Sequence, residues 1–379
     1  MTEPRLQCCF LGLSITSTWG NGHATTYRAL LKYLFQRGHK VTFLERDMPW
    51  YAANREFEQL SYCDIALYNS LDELRDRFAQ VVRTSDVVVV GSYVPEGVLV
   101  GQWVNSISQN ITAFYDIDTP VTLANLSNGR CEYLSTELIP QYRLYLSFTG
   151  GPTLSFIERK LASPRARVLY CSVDPELYYP EPTPIQWDLA YLGTYAADRQ
   201  PALERLLLSV ARKRPTGSFA VAGPQYPEEI DWPSNVKRIE HLHASEHRRF
   251  YNSQLFALNL TRRNMIQAGF SPSVRLFEAA ACGVPILTDE WTGLDRFFHS
   301  GSEIIPVRTT ADVASALSMP AERRLTVVER ARRRVLRFHT AAVRANEFEA
   351  HIAESMEAVA CLKKRSTVEL NASTAAALI

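Results

Sequence analysis

Apolar and polar positions alternate along this chain in two repeating forms. Short β-branched or apolar runs at 5–13, 40–44, 65–68, 87–90, 111–115 and 144–148 predict buried strands. Between them lie helix-period segments such as 25–36, with Leu30, Leu31, Leu34 and Phe35 at helical spacing and Gly38 as the stop. Strand and helix in turn predict right-handed βαβ units and a mostly parallel sheet covered on both faces. A proline-rich stretch at 173–185 breaks the rhythm, because clustered prolines hold the chain extended. The alternation then restarts, with strands expected at 189–192, 218–222, 236–239, 256–260, 286–288 and 303–307 and helices at 201–212 and 273–281. From 322 to about 363 the pattern is helical, and 365–379 reads as a frayed tail. Two consecutive open α/β sheets are therefore expected.

The 379 residues are 46% apolar and 21% charged, which fits a globular protein and excludes a disordered or collagen-like chain. Lys plus Arg number 41 against 40 Asp plus Glu, so no global field recruits nucleic acid and a polyanion must be met locally. No run approaches the roughly 18 apolar residues of a membrane-spanning helix. The apolar start after Arg5 is interrupted by Gln7, Gly12 and Ser14 and reads as a strand, not a leader. Seven cysteines without CxxC spacing, most of them in apolar runs, point to reduced thiols and a cytoplasmic location.

Open α/β sheets place a ligand cleft at the carboxyl ends of their strands, and the interface between two of them is where two substrates can meet. The most informative segment for such a cleft is Ser273-Val-Arg-Leu-Phe-Glu-Ala-Ala-Ala-Cys-Gly-Val-Pro-Ile-Leu-Thr-Asp289. A helix opening near Ser273 offers unpaired backbone N–H groups and a positive dipole end, and Arg275 in its first turn adds a charged clamp for an anion. Glu278, one turn on, can accept hydrogen bonds from the two hydroxyls of a ribose. The same residues also suit an ordinary amphipathic helix feeding a buried strand, and spacing alone leaves both readings open.

This run, with Val173-Asp-Pro-Glu-Leu-Tyr-Tyr-Pro180 and Leu192-Gly-Thr-Tyr-Ala-Ala-Asp-Arg199, resembles the GT-B glycosyltransferases, above all the subgroup similar to the spore maturation protein CgeB. The resemblance covers nearly the whole chain. It implies two Rossmann-like domains around a deep cleft: an acceptor domain at 1–170, a nucleotide-sugar donor domain at 171–338, a helix at 339–364 crossing back, and a flexible tail at 365–379. The implied activity is glycosyl transfer, of the hexosyl class, from a UDP-, dTDP- or GDP-linked sugar, with no metal or other cofactor. Ser273, Val274, Arg275 and Glu278 would hold the diphosphate and ribose. Many retaining members have a second Glu eight residues before the position of Glu278, where this chain has Phe270, so that support for the donor sugar is absent and the stereochemistry stays open. A catalytically silent binding protein and a sugar-nucleotide epimerase on the same fold are the alternatives.

Other loops at strand ends supply further candidates. Gly193 lets backbone approach a phosphate in the turn Gly193-Thr194-Tyr195, and Arg199 offers a second positive charge, unless the segment is simply a capped helix start. His241-Leu-His-Ala-Ser-Glu-His247 gathers three imidazoles, but with one acid and no cysteine it is a poor zinc site. The resemblance puts His243 and Ser245 at the nucleotide base and leaves His241 structural. The turn Gly20-Asn21-Gly22-His23 lacks the third glycine of a dinucleotide fingerprint. It is either a tight turn capped by His23 or a loop that brings N–H groups and an imidazole to the cleft, where the resemblance sets it against the donor. Asp116 and Asp118, two apart on extended chain, share an orientation, so one suits acceptor hydroxyls and the other a general base; an Asx turn before Pro120 is the plain alternative. Trp50, Tyr51 and Arg55 form an aromatic cluster suited to a sugar face, and Thr149 and Gly150 a loop on the acceptor side. The arginine-rich segment 323–337 either docks on anionic lipid or an acidic acceptor or is a solvated face.

Overall fold

The computed structural model describes residues 5–19 and 21–376, with side chains as far as 361. The first sheet holds β1 (Gln7–Gly12), β2 (Lys40–Arg46), β3 (Asp64–Tyr68), β4 (Val87–Gly91), β5 (Ile111–Asp116), β6 (Leu144–Ser147) and β7 (Ala166–Val168), in the order β3-β2-β1-β4-β5-β6-β7. Every pairing is parallel. The four consecutive valines of β4 are wholly buried because a central parallel strand is covered on both faces. On one face Phe10 and Val89 pack with Leu30, Leu31 and Leu34 of the His23–Gln36 helix. On the other, Leu11 and Val90 pack with Leu74 and Val100. Phe35, expected in that core, points to solvent.

The second sheet follows the linker: β8 (Leu189–Leu192), β9 (Phe219–Ala222), β10 (Val236–Ile239), β11 (Ala257–Asn259), β12 (Ile286–Thr288) and β13 (Ile305–Pro306), in the order β10-β9-β8-β11-β12-β13, again all parallel. In each sheet strand order reverses beside the first strand, which opens a crevice at the carboxyl ends. β7 was not expected, since three residues are too few to show a period.

The chain returns to the first sheet at its end. The Val173 N–H donates to the His339 carbonyl at 3.0 Å and the Ala341 N–H to the Val173 carbonyl at 2.9 Å, so the two crossings run side by side. The helical pattern from 322 accordingly divides into Ala321–Phe338 and Ala341–Ala376. His339, at the break, stacks on Phe277 at 4.6 Å, and burial lowers its imidazole to about 3, so it stays neutral. In the last helix Phe348 lies 5.8 Å from Phe10, and Glu349 accepts from His39 Nε2 at 2.6 Å. That helix runs to Ala376, past the end expected at 364 and into the expected tail; 377–379 lie outside the described residues.

Candidate functional site in the interdomain cleft

The Val274–Ala281 helix enters the crevice between the sheets. Ser273, its N-cap residue, makes no side-chain cap and instead accepts from Arg275 Nε at 3.1 Å. The first N–H groups of a helix have no partner within it, so this end is free to face an anion. Arg275 also donates to the Leu192 carbonyl at 2.9 Å and lies over the Tyr191 ring. A Cβ on Gly193 would collide with its guanidinium. Gly193 therefore makes room for the arginine and lines the cleft, as expected of its turn, with its own N–H committed to the Ala222 carbonyl at 2.8 Å.

Beside it Gly223, at φ 138°, brings a second turn against the Gly193 carbonyl, an approach that only glycine permits. Gly223 is not among the residues singled out from the sequence, although Ala222-Gly223-Pro224 after a strand is a turn signal of the same kind. The resulting cleft, of about 300 Å³, has Asn21 and Gly22 on one side and Thr194, Gly223, Ser273 and Arg275 on the other. Asn21 holds its loop by donating to the Ser14 and Ser17 carbonyls and accepting from His23 N, and Gly22 faces open space. Gly20 lies outside the described residues. Tyr195 lies outside the cleft wall: its N–H is bonded to the Pro224 carbonyl and its ring packs on Tyr226.

Arg199 is buried behind Thr194, whose carbonyl it contacts at 2.5 Å, and its Nε has no partner. Burial and then the like charges of Arg275 and Arg262 lower its pKa. Among the described residues neither Arg199 nor Arg275 has a carboxylate within ion-pair distance. The Glu278 carboxylate favours the charged form of Arg275, so the electrostatic cost falls on Arg199, and a bound anion would relieve it.

Glu278 is 4% exposed, accepts from Tyr251 Oη at 3.0 Å, and stands where the cleft meets a second cavity of about 600 Å³. Val274 and Thr25 are shared by both spaces as well. His243 and Ser245 open into the larger cavity, together with Phe57, Leu60 and Tyr178. His241, expected to be structural, lines the smaller cleft. Its ring packs edge to face on His243 at 4.4 Å, and among the described residues no three His, Cys, Asp or Glu side chains gather to hold a metal.

The two candidate acids separate. Asp116 is fully enclosed, taking hydrogen bonds from Tyr145 Oη at 2.5 Å and Thr122 Oγ1 at 2.7 Å, and burial raises it to about 6 despite those donors. It organises the loop after β5 and cannot touch an acceptor, which corrects the expectation from its spacing. Asp118 reaches the interface: Tyr93 Oη donates to it at 3.1 Å, and Arg262 of the second domain lies 3.6 Å away. Tyr93 has φ 64° and its ring lies 5.4 Å from that of His23, whose Nδ1 has no partner and whose pKa burial lowers. A neutral imidazole, a phenol and a carboxylate thus converge where the strands of the first sheet end.

The expected acceptor residues are placed otherwise. Trp50 is exposed, Tyr51 is buried, Arg55 pairs with Asp47 at 2.7 Å, and none of the three lines either space. Glu56 and Phe57, just beyond them, do so instead. Thr149 is buried and donates to Ser271 at 3.0 Å, while the Gly150 N–H donates to the Phe270 carbonyl at 3.0 Å. They clasp the two domains together, so they are not an open acceptor loop.

Two parallel sheets, a cleft between their carboxyl ends and a terminal helix returning to the first sheet define the GT-B fold. Residues 199–350 match the family described as glycosyl transferase-like. The structure is similar to sucrose-phosphate synthase from Thermosynechococcus elongatus, with TM-score 0.68 and 14% identity over 93% of this chain and 100% of that one. It is similar to HepE of Anabaena, solved with UDP and glucose, with TM-score 0.68 and 12% identity over 92% of this chain and 100% of that one. An α-glucosyltransferase solved with UDP-glucose and DNA containing an abasic site gives TM-score 0.67 and 14% identity, with 92% of this chain and 100% of that one covered. No curated protein matches the chain in sequence.

Proposed function

We propose that the protein is a glycosyltransferase that moves a sugar from a nucleoside-diphosphate donor to an acceptor bound against the first domain, and that it belongs with the CgeB-like members of the fold. One arrangement carries this reading: Arg275 and Glu278, one turn apart on a helix whose open N-terminus faces the cleft. The diphosphate lies on that N-terminus and Arg275, with the field of Arg199 behind it, and the ribose hydroxyls meet Glu278. The base then crosses Glu278 toward His243 and Ser245. The neighbours solved with UDP or UDP-glucose support a donor of this class.

Catalysis consists of alignment across the cleft and stabilisation of charge on the departing diphosphate by guanidinium and backbone dipoles. Those groups meet the charge without a divalent cation, so chelation is expected to leave turnover unchanged. Asp118, held by Tyr93, takes the acceptor proton. The test is a thermal-shift series with UDP, GDP, dTDP, ADP and CDP, followed by nucleotide release from the matching sugar conjugates. A ligand that binds only the folded state raises the melting temperature. A melting temperature unmoved by every one of them ends this reading.

A further inference from the structure

On the second domain the cleft is walled by two strand ends, 192–194 and 221–224, and every backbone carbonyl in these two stretches accepts a hydrogen bond. Arg275 serves that of Leu192 and Arg199 that of Thr194. The Gly193 N–H serves Ala222, and the Tyr195 N–H serves Pro224. The carbonyls that remain are held by two side chains with no part in the site as described so far. Tyr226 Oη donates to the Gly193 carbonyl at 3.1 Å, and the Arg238 guanidinium donates to the Val221 carbonyl and, at 2.9 Å, to the Gly223 carbonyl.

Neither Tyr226 nor Arg238 lines the cleft; both stand behind its wall. Arg238 lies on β10 opposite Val221 of β9 and reaches past the end of β9 to Gly223. Its guanidinium rests against the Tyr226 ring at 4.2 Å and the Trp232 ring at 4.7 Å. A rigid planar fork can serve two carbonyls at once, which an ammonium on a flexible stem does not do in this geometry. Gly193 and Gly223 have no side chain to fix their peptide planes, so those planes are set by the bonds their carbonyls make. A carbonyl oxygen is the negative end of a peptide dipole, and one turned into an anion site would oppose binding there. Taking the diphosphate site proposed above as given, we propose that Arg238, together with Tyr226, is a positioning residue for it: the two side chains hold the Gly193 and Gly223 carbonyl oxygens back from the anion. The cleft then presents Arg275 and the N–H groups of its helix to the diphosphate, with no free carbonyl beside them.

The test is calorimetric titration of the full chain with UDP, GDP, dTDP, ADP, CDP and inorganic pyrophosphate, at a temperature where circular dichroism shows each variant to be folded. Arg238→Met keeps the stem and removes both donors, and is expected to weaken whichever of these ligands the wild type binds by about tenfold or more. Tyr226→Phe removes one hydroxyl, leaves the ring against the guanidinium, and should cost a smaller factor, about three to five. It decides the matter if Arg238→Met does not fold. Arg238→Lys restores the charge but reaches one carbonyl at most, so it should recover only part of the loss. A role in stability alone would lower the melting temperature and leave the affinity of the folded variant unchanged. Wild-type affinity in Tyr226→Phe and in folded Arg238→Met, or full recovery in Arg238→Lys, would overturn the assignment while the donor site stands. A wild type that binds none of these ligands overturns the donor site, and the assignment with it.

Discussion

The guanidinium of Arg275 occupies the space that a side chain on residue 193 would fill, and donates to the Leu192 carbonyl beside it at 2.9 Å. A small residue in one turn thereby fixes where the positive charge of another element stands. Gly193→Ala is expected to push the arginine off the helix N-terminus without touching the ligand itself. Nucleoside-diphosphate affinity should fall about as far as in Arg275→Ala, a loss on the order of 1.5 to 3 kcal/mol for a charge-assisted contact. Calorimetric titration of both variants checks this; a Gly193→Ala protein that binds normally would break the link.

Glu278 is expected to distinguish ribose from deoxyribose. Glu278→Gln should weaken a ribonucleoside diphosphate about tenfold or more and its 2′-deoxy counterpart, which keeps only the 3′-hydroxyl, by clearly less, because the lost contacts are to the hydroxyls. Tyr251→Phe removes the phenol that holds the carboxylate at 3.0 Å and should produce a smaller effect in the same direction. Equal losses for the ribo and deoxy ligands would move the ribose elsewhere.

Both predictions draw on residues legible in the sequence, because Ser273, Arg275 and Glu278 are related by helical spacing alone. The sheets were legible for a similar reason: a parallel strand buried on both faces is an uninterrupted apolar run, as Val87 to Val90 is. What the sequence hid depends on contacts between distant segments. The break at His339 and Thr340 follows from pairing with Val173, and its local mark is slight: Thr340 Oγ1 accepts from the Val343 N–H at 3.4 Å at the start of the next helix. Thr149 and Gly150 have the composition of an open loop, yet Phe270 and Ser271 close over them. Asp116 and Asp118 share a local pattern, yet Tyr145 seals the first while Tyr93 and Arg262, from two other loops, flank the second.

Asp118 is expected to matter for transfer and not for donor binding. Asp118→Asn keeps the shape and one hydrogen bond to Tyr93 but removes the base, so turnover should fall about 10²- to 10⁴-fold while nucleotide affinity stays within about twofold. Tyr93→Phe, a change in the positioning partner, should lower turnover more than it changes nucleotide affinity. Full transfer by Asp118→Asn would assign the proton to another group.

Asp116 predicts a pH dependence of stability separable from that of activity. Its carboxyl, raised by burial to about 6, holds a proton in the folded chain between about pH 4 and 6, where the unfolded chain, near 3.9, has lost it. The folded state binds more protons over that interval, so this residue's contribution is complete below about pH 4 and declines as pH rises through 6. Asn at this position accepts from Thr122, offers Tyr145 a donor in place of an acceptor, and cannot ionise. Asp116→Asn should therefore gain on the wild type by up to about 3 kcal/mol between pH 4 and 7, since each tenfold difference in acidity between the folded and unfolded chains is worth about 1.4 kcal/mol. Urea unfolding of both proteins at half-unit steps of pH reads the difference directly. Two parallel stability curves would mean that Asp116 ionises as easily in the folded chain as in the unfolded one.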